Sequence, residues 1–217
     1  MSSEETRYYL NGVYLHPCIE NEKNILRAVA TDGHRLAQID IENPGLKNSF
    51  SGIIVPKKTV GELRMILEND NDDISISISN NKIRFANKSL TLTSKIVDGT
   101  FPDYKRVIPI NNDKKLKVNA SEFSKAVDRV STVSSERSRA VKLKLSSGSL
   151  QLSVNSPENG KAEDEIIVDY DQDNLEIGFN ARYLQELTSQ VDGKNVEFSF
   201  KSSGDPALMR DVDDEGA

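Results

Sequence analysis

The chain has 217 residues, of which 36% are hydrophobic and 29% are charged, and it contains no tryptophan. Its formal net charge of −6 argues against a simple basic nucleic-acid binder, although a cleft or ring can still concentrate cations on one face. The single cysteine, Cys18, excludes an intrachain disulfide. No apolar run approaches a membrane span, and the first residues lack the pattern of a signal peptide, so a cytoplasmic protein without a membrane segment is expected.

A strand that runs into an amphipathic helix recurs three times along the chain, with a period of about 60 residues. The three segments are residues 53–67, 116–130 and 177–191. Alternating β sequence follows each of them, as at 73–79, where isoleucines and serines alternate, and at 141–145. A fixed period of this kind indicates one supersecondary unit used repeatedly, which favours a scaffold over a catalytic pocket.

The second helix shows the amphipathic pattern most clearly. Phe123, Val127 and Val130 form one apolar stripe, whereas Lys125 and Arg129 lie on the opposite side. Each of the three predicted helices has a residue that favours a helix start. Pro56 suits the first turn of the first helix, and Asn180 can cap the third. Asn119 with Glu122 forms a capping-box pattern at the second.

The polar segment 108–114 is the predicted boundary between two domains, residues 1–110 and 111–217. The acidic run 69–73 resembles a calcium loop only in composition and is interpreted as a helix-to-strand turn, while 156–164 is interpreted as a solvated loop. If each domain pairs two units, the first is expected to lack its opening strand and helix, and the second its closing strand.

Catalytic and metal-binding patterns are weak. His34 with Asp32 could act as a base and its orienter, with a serine as nucleophile, but Asp32-Gly33 between two alternating apolar segments is typical of a hairpin turn. His16 lies in what is interpreted as a strand end. Two histidines and one cysteine without metal-ligand spacing predict no metal site, and the sequence indicates no catalytic residues and no cofactor.

Basic residues gather on and near the three predicted helices. Solvated helix faces are the ordinary explanation, and a phosphate-facing surface without sequence readout is the functional one. Tyr8 and Tyr9, placed on a strand by this interpretation, cannot both be core residues, so one could stack against a nucleic acid. The cations are Lys57, Lys58, Arg64, Lys125, Arg129, Arg137, Arg139 and Arg182.

Five segments together resemble the bacterial β sliding clamps, the processivity factors of DNA polymerase. They are RYYLNG at 7–12, ATDGHRLA at 30–37, VPKK at 55–58, SKIVDGTFPDYKRVIP at 94–109 and IGFNARYL at 177–184. The resemblance implies an α+β DNA-clamp fold of repeated β-α-β units, with antiparallel sheets outside and helices lining a channel. It further implies a head-to-tail dimer of three-domain chains, of which this chain would hold most of the second and third domains.

The resemblance also implies a groove, between those two domains, that accepts a short peptide motif of polymerases and repair proteins. Its apolar walls and polar backbone would hold a leucine or phenylalanine anchor. The matching positions are Leu10, Thr31, Gly33, His34, Arg35, Leu36, Pro102, Arg106 and Val107, with Pro206 at the rim.

The remaining implied sites concern DNA and assembly. The positions that contact DNA in the clamp family match Tyr8, Tyr9 and Lys58. Lys125 and Arg129 are expected to face the duplex. The ring interface matches Thr132 and Val133. The implied protein is non-enzymatic and works with a clamp loader, and this fragment is expected to be monomeric. A β-rich binding scaffold without a DNA role and a hydrolase that uses His34 remain the alternatives.

Overall fold

The computed structural model describes residues 1–42, 50–67, 73–135, 139–191 and 193–212. Their contacts divide the chain into two compact units, the first covering Met1–Asp103 and the second beginning at Tyr104. This division falls slightly before the polar segment in which the boundary was predicted, and the assignment of domains to 1–110 and 111–217 stays a prediction.

The first unit begins with a 3-10 helix, Glu5–Leu10, and contains two antiparallel sheets. The larger sheet has the strand order β3-β2-β1-β4, built from β1 (Gly12–Glu20), β2 (Lys23–Thr31), β3 (Leu36–Glu42) and β4 (Ile53–Pro56). Helix α1 (Lys57–Leu67) follows, and then the sheet β5-β6-β7, made of β5 (Ser75–Ile78), β6 (Lys82–Ala86) and β7 (Thr91–Lys95).

The second unit starts with a 3-10 helix, Tyr104–Val107, and repeats the same plan with an additional strand–helix pair, β8 (Lys114–Asn119) and α2 (Ala120–Ser131), in front. Its larger sheet has the order β11-β10-β9-β12, from β9 (Ala140–Ser146), β10 (Ser149–Ser156), β11 (Gly160–Ile167) and β12 (Leu175–Asn180). Helix α3 (Ala181–Thr188) follows, and β13 (Asn195–Phe200) lies between β14 (Leu208–Asp211) and β8.

The predicted repeat is confirmed, because β4, β8 and β12 each lead directly into a helix at spacings of about 60 residues. The predicted alternation is confirmed in β9, where Val141, Leu143 and Leu145 are fully buried. The α2 stripe is also confirmed: Phe123 is fully buried in the core and its ring lies 5.2 Å from that of Phe198. Side chains from α2, α3 and the sheets thus form one buried core in the second unit.

Both predicted asparagine caps are confirmed. Asn119 Oδ1 accepts a hydrogen bond from the Glu122 amide at 3.0 Å, and Asn180 Oδ1 accepts one from the Arg182 amide at 3.0 Å. The prediction for Pro56 is wrong by one position, since Pro56 closes β4 opposite Gly12 instead of opening α1. Strand β4 is an edge strand, where a residue without an amide N–H is tolerated.

Segment 156–164 is not a solvated loop, because most of it belongs to the β10–β11 hairpin. The register pairs Val154 with Ala162 and Ser156 with Gly160, which adopts φ +92°. Ala162 and Ile166 point to the core face of β11, whereas Ile167 is exposed. The charged residues around Ala162 hid this weak alternation and led to the prediction of a loop. The acidic run 69–73 lies almost entirely outside the described residues.

Three smaller predictions about the first unit are also corrected. Tyr8 and Tyr9 lie in the 3-10 helix and not in a strand. His16 lies in the middle of β1, where its ring stacks on Tyr14 at 4.8 Å. Ile76 of β5 is exposed although it alternates with serines, because β5 is an edge strand that leaves part of its apolar side uncovered.

No helix within the described ranges is long and apolar enough to cross a bilayer.

Candidate partner and nucleic-acid surfaces

The β2–β3 connection is the predicted hairpin turn. Thr31 pairs with Leu36 across the ladder, which leaves residues 32–35 as the loop. Gly33 has φ +88°, a conformation that other residues rarely adopt. The Thr31 hydroxyl accepts from the Gly33 amide at 3.1 Å and donates to the Arg35 carbonyl at 2.9 Å, which holds the two ends of the turn together.

Asp32 organises the rest of this turn. Its Oδ1 accepts from the amides of His34 and Arg35, both at 3.0 Å, and its Oδ2 lies 3.1 Å from Arg35 Nε. Desolvation raises the pKa of Asp32, but the two amides and the Arg35 guanidinium together outweigh it, so the pKa of this carboxyl is lowered. Asp32 therefore holds the backbone of His34, which is the role of a turn residue.

The 3-10 helix Glu5–Leu10 lies against this turn. A Cβ at Gly33 would come within 2.8 Å of Arg7 Nη1, so the guanidinium covers the glycine. Arg7 is held by Glu4 at 3.2 Å, and Leu10 is buried in the core while Leu36 is half-buried. Of the predicted peptide-binding residues, five thus share one turn, Thr31, Gly33, His34, Arg35 and Leu36, whereas Leu10 lies beneath the surface.

The other predicted peptide-binding residues are distributed over both units. Pro102 is exposed in the first unit. Arg106 and Val107 end the 3-10 helix of the second unit, and Val107 is 60% exposed. Pro206 is exposed, and its carbonyl accepts from Asn112 Nδ2 at 2.9 Å. The residue set as a peptide pocket stays a prediction.

The helix cations differ from one another in their surroundings. Lys58 is exposed in the first turn of α1, and Lys125 is exposed on α2. Arg129 is also on the exposed side of α2, but its guanidinium lies 2.6 Å from Asp164 of β11. This carboxylate offsets the charge of Arg129, and the sequence prediction missed it because 156–164 was not interpreted as a strand. The only local signal was weak, since Ala162 and Ile166 are apolar but Asp164 between them on the same face is not.

Tyr8 and Tyr9 stand next to each other, with their rings 5.8 Å apart in an edge-to-face arrangement. Tyr8 is 51% exposed and Tyr9 is half-buried, so the prediction that they are not both core residues is confirmed. A Cβ at Gly99 would lie 3.2 Å from Tyr9 Cβ and 3.3 Å from Tyr8 Cε2. The loop at Gly99 therefore supports the two rings from one side.

The predicted interface residues follow α2 directly. Thr132 is the C-cap residue of α2, and its hydroxyl donates to the Arg129 carbonyl at 2.8 Å. Val133 is half-buried and packs against the core of the second unit. Part of the apolar surface of Val133 is therefore already buried within its own unit.

Within the described residues, no cluster of three or more His, Cys, Asp or Glu side chains could hold a metal ion.

Comparisons with known proteins agree with this arrangement of two units. Residues 1–103 match the family profile "DNA polymerase III beta subunit, central domain", and residues 105–217 match "DNA polymerase III beta subunit, C-terminal domain". The chain is 47% identical over 216 residues to the beta sliding clamp of Caulobacter vibrioides, covering 100% of this chain and 58% of that protein. It is 37% identical over 215 residues to the beta sliding clamp of Pseudomonas aeruginosa, again covering 58% of that protein.

Solved structures give the same result. The sliding clamp of Bartonella birtlesii bound to griselimycin superposes with a TM-score of 0.94 at 50% identity, over 99% of this chain and 58% of that one. The DNA polymerase III subunit beta of Pseudomonas aeruginosa superposes with a TM-score of 0.92 at 36% identity, over 100% of this chain and 58% of that one. The chain thus spans somewhat more than half the length of these relatives.

Proposed function

The chain belongs to the family of bacterial β sliding clamps, and from that premise we propose that it is part of a processivity factor for the replicative DNA polymerase. The proposed role is non-catalytic: a closed ring around duplex DNA holds the polymerase on its template while it slides. The observation that carries this proposal is that two consecutive domain profiles of one clamp subunit match the two compact units in order.

The proposed DNA contact is electrostatic and independent of sequence. Lys58 on α1 and Lys125 on α2 are exposed cations on helices, and such cations bind phosphates without reading bases. A ring that slides needs this kind of contact, because strong base recognition would hold it at one site. Tyr8, which is exposed beside Tyr9, is proposed to contact the duplex as well.

The DNA proposal is tested with two duplexes of unrelated sequence. Replacing Lys58 and Lys125 together by glutamine should weaken binding of both duplexes equally and flatten the dependence of log K on log salt, by about 0.9 for each lost phosphate contact. Lys144→Gln, at an exposed lysine of β9, is the matched control. Fluorescence anisotropy across a salt series gives both quantities, and a loss that differs between the duplexes would contradict the proposal.

The Arg129–Asp164 ion pair allows a second test of the same surface. Since Asp164 offsets the charge of Arg129, Arg129→Gln should weaken DNA binding less than Lys125→Gln does. Asp164→Asn should release the guanidinium and strengthen binding at low salt. An Asp164→Asn variant with unchanged affinity would remove Arg129 from the proposed DNA surface.

We also propose that a partner peptide with a leucine or phenylalanine anchor docks at the predicted residue set. The support is the half-buried Leu36 at the end of a hydrogen-bonded turn and the exposed Val107. Leu36→Asp or Val107→Asp should weaken a fluorescent clamp-motif peptide about thirtyfold, which corresponds to about 2 kcal/mol. Ile167→Asp, at an exposed isoleucine of β11, is the control, and unchanged affinity in folded variants of Leu36 and Val107 would refute the site.

The proposed partners of the full-length protein are a second copy in a head-to-tail homodimer, the clamp loader, and replicative and repair polymerases, all in the cytoplasm. Thr132 and Val133 are proposed to lie in the ring interface. This chain is proposed to be monomeric at micromolar concentration, because a heterologous interface closes a ring only with its complementary surface present. Sedimentation velocity decides this, and a stable dimer of the 24.1 kDa chain would contradict it.

A further inference from the structure

The sheet β5-β6-β7 has one face packed towards α1 and one face turned away from it. Ile83 and Phe85 of β6 are buried in a cluster against which Val60 and Leu63 of α1 pack. Lys82 and Arg84 alternate with them along β6 and are exposed, as expected when successive side chains of a strand point to opposite faces. The face turned away from α1 is called the cationic face here and is defined by Ser77, Lys82, Arg84, Thr93 and Lys95.

The charges of the cationic face are all positive. No outward position of β5, β6 or β7 has an acidic residue, although the chain as a whole has a net charge of −6. Lys82 and Lys95 are register partners on adjacent strands, an arrangement in which like charges are destabilising. Among the residues that the structure describes, no carboxylate lies within ion-pair distance of Lys82, Arg84 or Lys95. A bound anion would therefore remove a repulsion that the free chain contains.

The smaller sheet of the second unit has its cations paired instead. Arg210 of β14 faces Glu197 of β13 across the ladder, and Glu197 also lies 3.2 Å from a lysine of β8. Arg84 of β6, in contrast, faces Ser77 on one side and Thr93 on the other. The two hydroxyls can donate hydrogen bonds to an anion, but they do not neutralise the guanidinium.

We propose that the cationic face binds an acidic peptide segment of a partner protein, in an extended conformation with a carboxylate at every second residue. Lys82 and Arg84 are two residues apart on one strand, so their side chains start about 7 Å apart, the same spacing as alternate side chains of an extended peptide. One carboxylate binds between Lys82 and Lys95. The next binds to Arg84, flanked by the hydroxyls of Ser77 and Thr93.

A nucleic acid fits the cationic face less well than an acidic peptide does. Surfaces that bind single strands combine cations with aromatic side chains on which bases stack, and no outward position of β5, β6 or β7 is aromatic. Lys58, which is proposed to contact the duplex, lies on α1, and α1 packs against the opposite face of this sheet. The cationic face is therefore an additional interaction surface, independent of the DNA and anchor-peptide functions proposed above.

The test uses the full chain and two fluorescent eight-residue peptides of equal charge. One alternates aspartate with serine, and the other has four consecutive aspartates followed by four serines. An extended alternating peptide presents all its carboxylates on one side, so it should bind about threefold more tightly than the other peptide. Binding should saturate at low salt and weaken as salt is added.

Single substitutions locate the bound peptide. Lys82→Gln, Arg84→Gln and Lys95→Gln should each weaken the alternating peptide about two- to fivefold, and the triple variant should lose the preference between the peptides. Lys144→Gln, at an exposed lysine of β9, is the matched control and should leave the affinity unchanged.

A stability measurement separates loss of binding from loss of folding. Lys95→Gln removes the like-charge pair with Lys82, so it should raise the urea midpoint of the free chain at low salt while it weakens the peptide. A lowered midpoint would contradict the proposed repulsion.

The peptide titrations decide the rest. The proposal is overturned if neither peptide saturates, if both bind equally, or if Lys144→Gln weakens binding as much as Arg84→Gln does. It is also overturned if a single-stranded oligothymidylate of the same charge displaces the alternating peptide at a lower concentration than the unlabelled peptide does, because the surface would then favour nucleic acid.

Discussion

The two units share a strand order but differ in how their larger sheets are covered. In the second unit the apolar face of the sheet is covered by α2, and its buried residues belong to one core that includes Phe123, Leu143 and Phe198. In the first unit a buried cluster surrounds Ile53 and Val55, and Leu26 and Val29 of β2 are buried as well, while Ile39 of β3 is exposed. The shared strand order of the two larger sheets therefore does not ensure equal burial, because burial depends on which element packs on the sheet.

The largest expected effect comes from comparing a covered residue with an exposed one. Phe123→Ala removes a fully buried ring from beneath the sheet and should lower the free energy of unfolding by about 3–5 kcal/mol. Ile39→Ala should change it by no more than about 0.5 kcal/mol, since the side chain is largely exposed. Urea denaturation followed by circular dichroism measures both, and similar costs would show that the sheets are equally covered.

The second comparison concerns two carboxylates at matched register positions of the two larger sheets, Asp40 of β3 and Glu165 of β11. Both lie on the sheet face opposite to Ile39 and Asp164. Arg27 is buried and donates to both carboxylate oxygens of Asp40, at 2.7 and 2.6 Å, and also pairs with Glu20. Asp40→Ala should cost about 2–3 kcal/mol because the buried Arg27 loses both of its hydrogen bonds to this carboxylate.

The matched control for Asp40 is Glu165→Ala in β11, where the carboxylate faces Gln151 across the ladder and accepts from the Ser149 hydroxyl at 2.5 Å. This exposed contact should contribute less than about 1 kcal/mol. Denaturation curves of the two variants separate the cases, and equal losses would mean that the Arg27 cluster contributes no more than a surface contact.

A smaller effect is expected at the helix starts. Asn119→Ala removes the side-chain acceptor for the Glu122 amide and should cost about 1 kcal/mol, whereas Asn119→Asp should keep the cap. Asn180→Ala should have a similar cost at α3. Ser121→Ala, at an exposed position of the same first turn, serves as control, and an equal loss there would argue against capping as the cause.

The smallest effect is a pH dependence in the β2–β3 turn. The pKa of Asp32 is lowered in the folded chain, so its contribution is present above the unfolded value of about 3.9 and is lost as the pH falls through the folded pKa. Asp32→Asn should destabilise the chain by about 0.5 kcal/mol at pH 7. This difference should disappear in the acid range, and a difference that persists there would mean that the carboxylate charge is not its origin.

The strand–helix junctions could be predicted because they depend on local chemistry. A change from alternating to helical spacing and an asparagine that accepts an amide hydrogen bond are both encoded within a few residues, as at Asn119 and Asn180. The Gly33 turn was predictable for the same reason, since a residue with positive φ between two apolar segments favours a hairpin. The exposure of Lys125 likewise followed from helical spacing.

The β10–β11 hairpin and the ion pair on Arg129 could not be predicted in this way. Ala162 is the only core-facing apolar residue among the polar and charged residues of 160–164, and the inward positions of Ala162 and Ile166 become recognisable only when β10 lies alongside. The pairing of Arg129 with Asp164 joins residues from a helix and a distant strand. Such contacts depend on how α2 crosses the sheet, and residue order alone does not specify that crossing.

The sequence by itself determined the repeat, the helix faces and caps, and the family, because these depend on spacing and on residue type over short distances. Tertiary structure decided which of two equivalent faces is covered. Ile41 and Ile166 are the same residue type at the same register position of the two larger sheets, counted along the pairings from the strand–helix junctions, yet one is half exposed and the other is buried. The difference arises because a side chain is buried by its neighbours in space, and Ile166 lies on β11, the strand that α2 packs against.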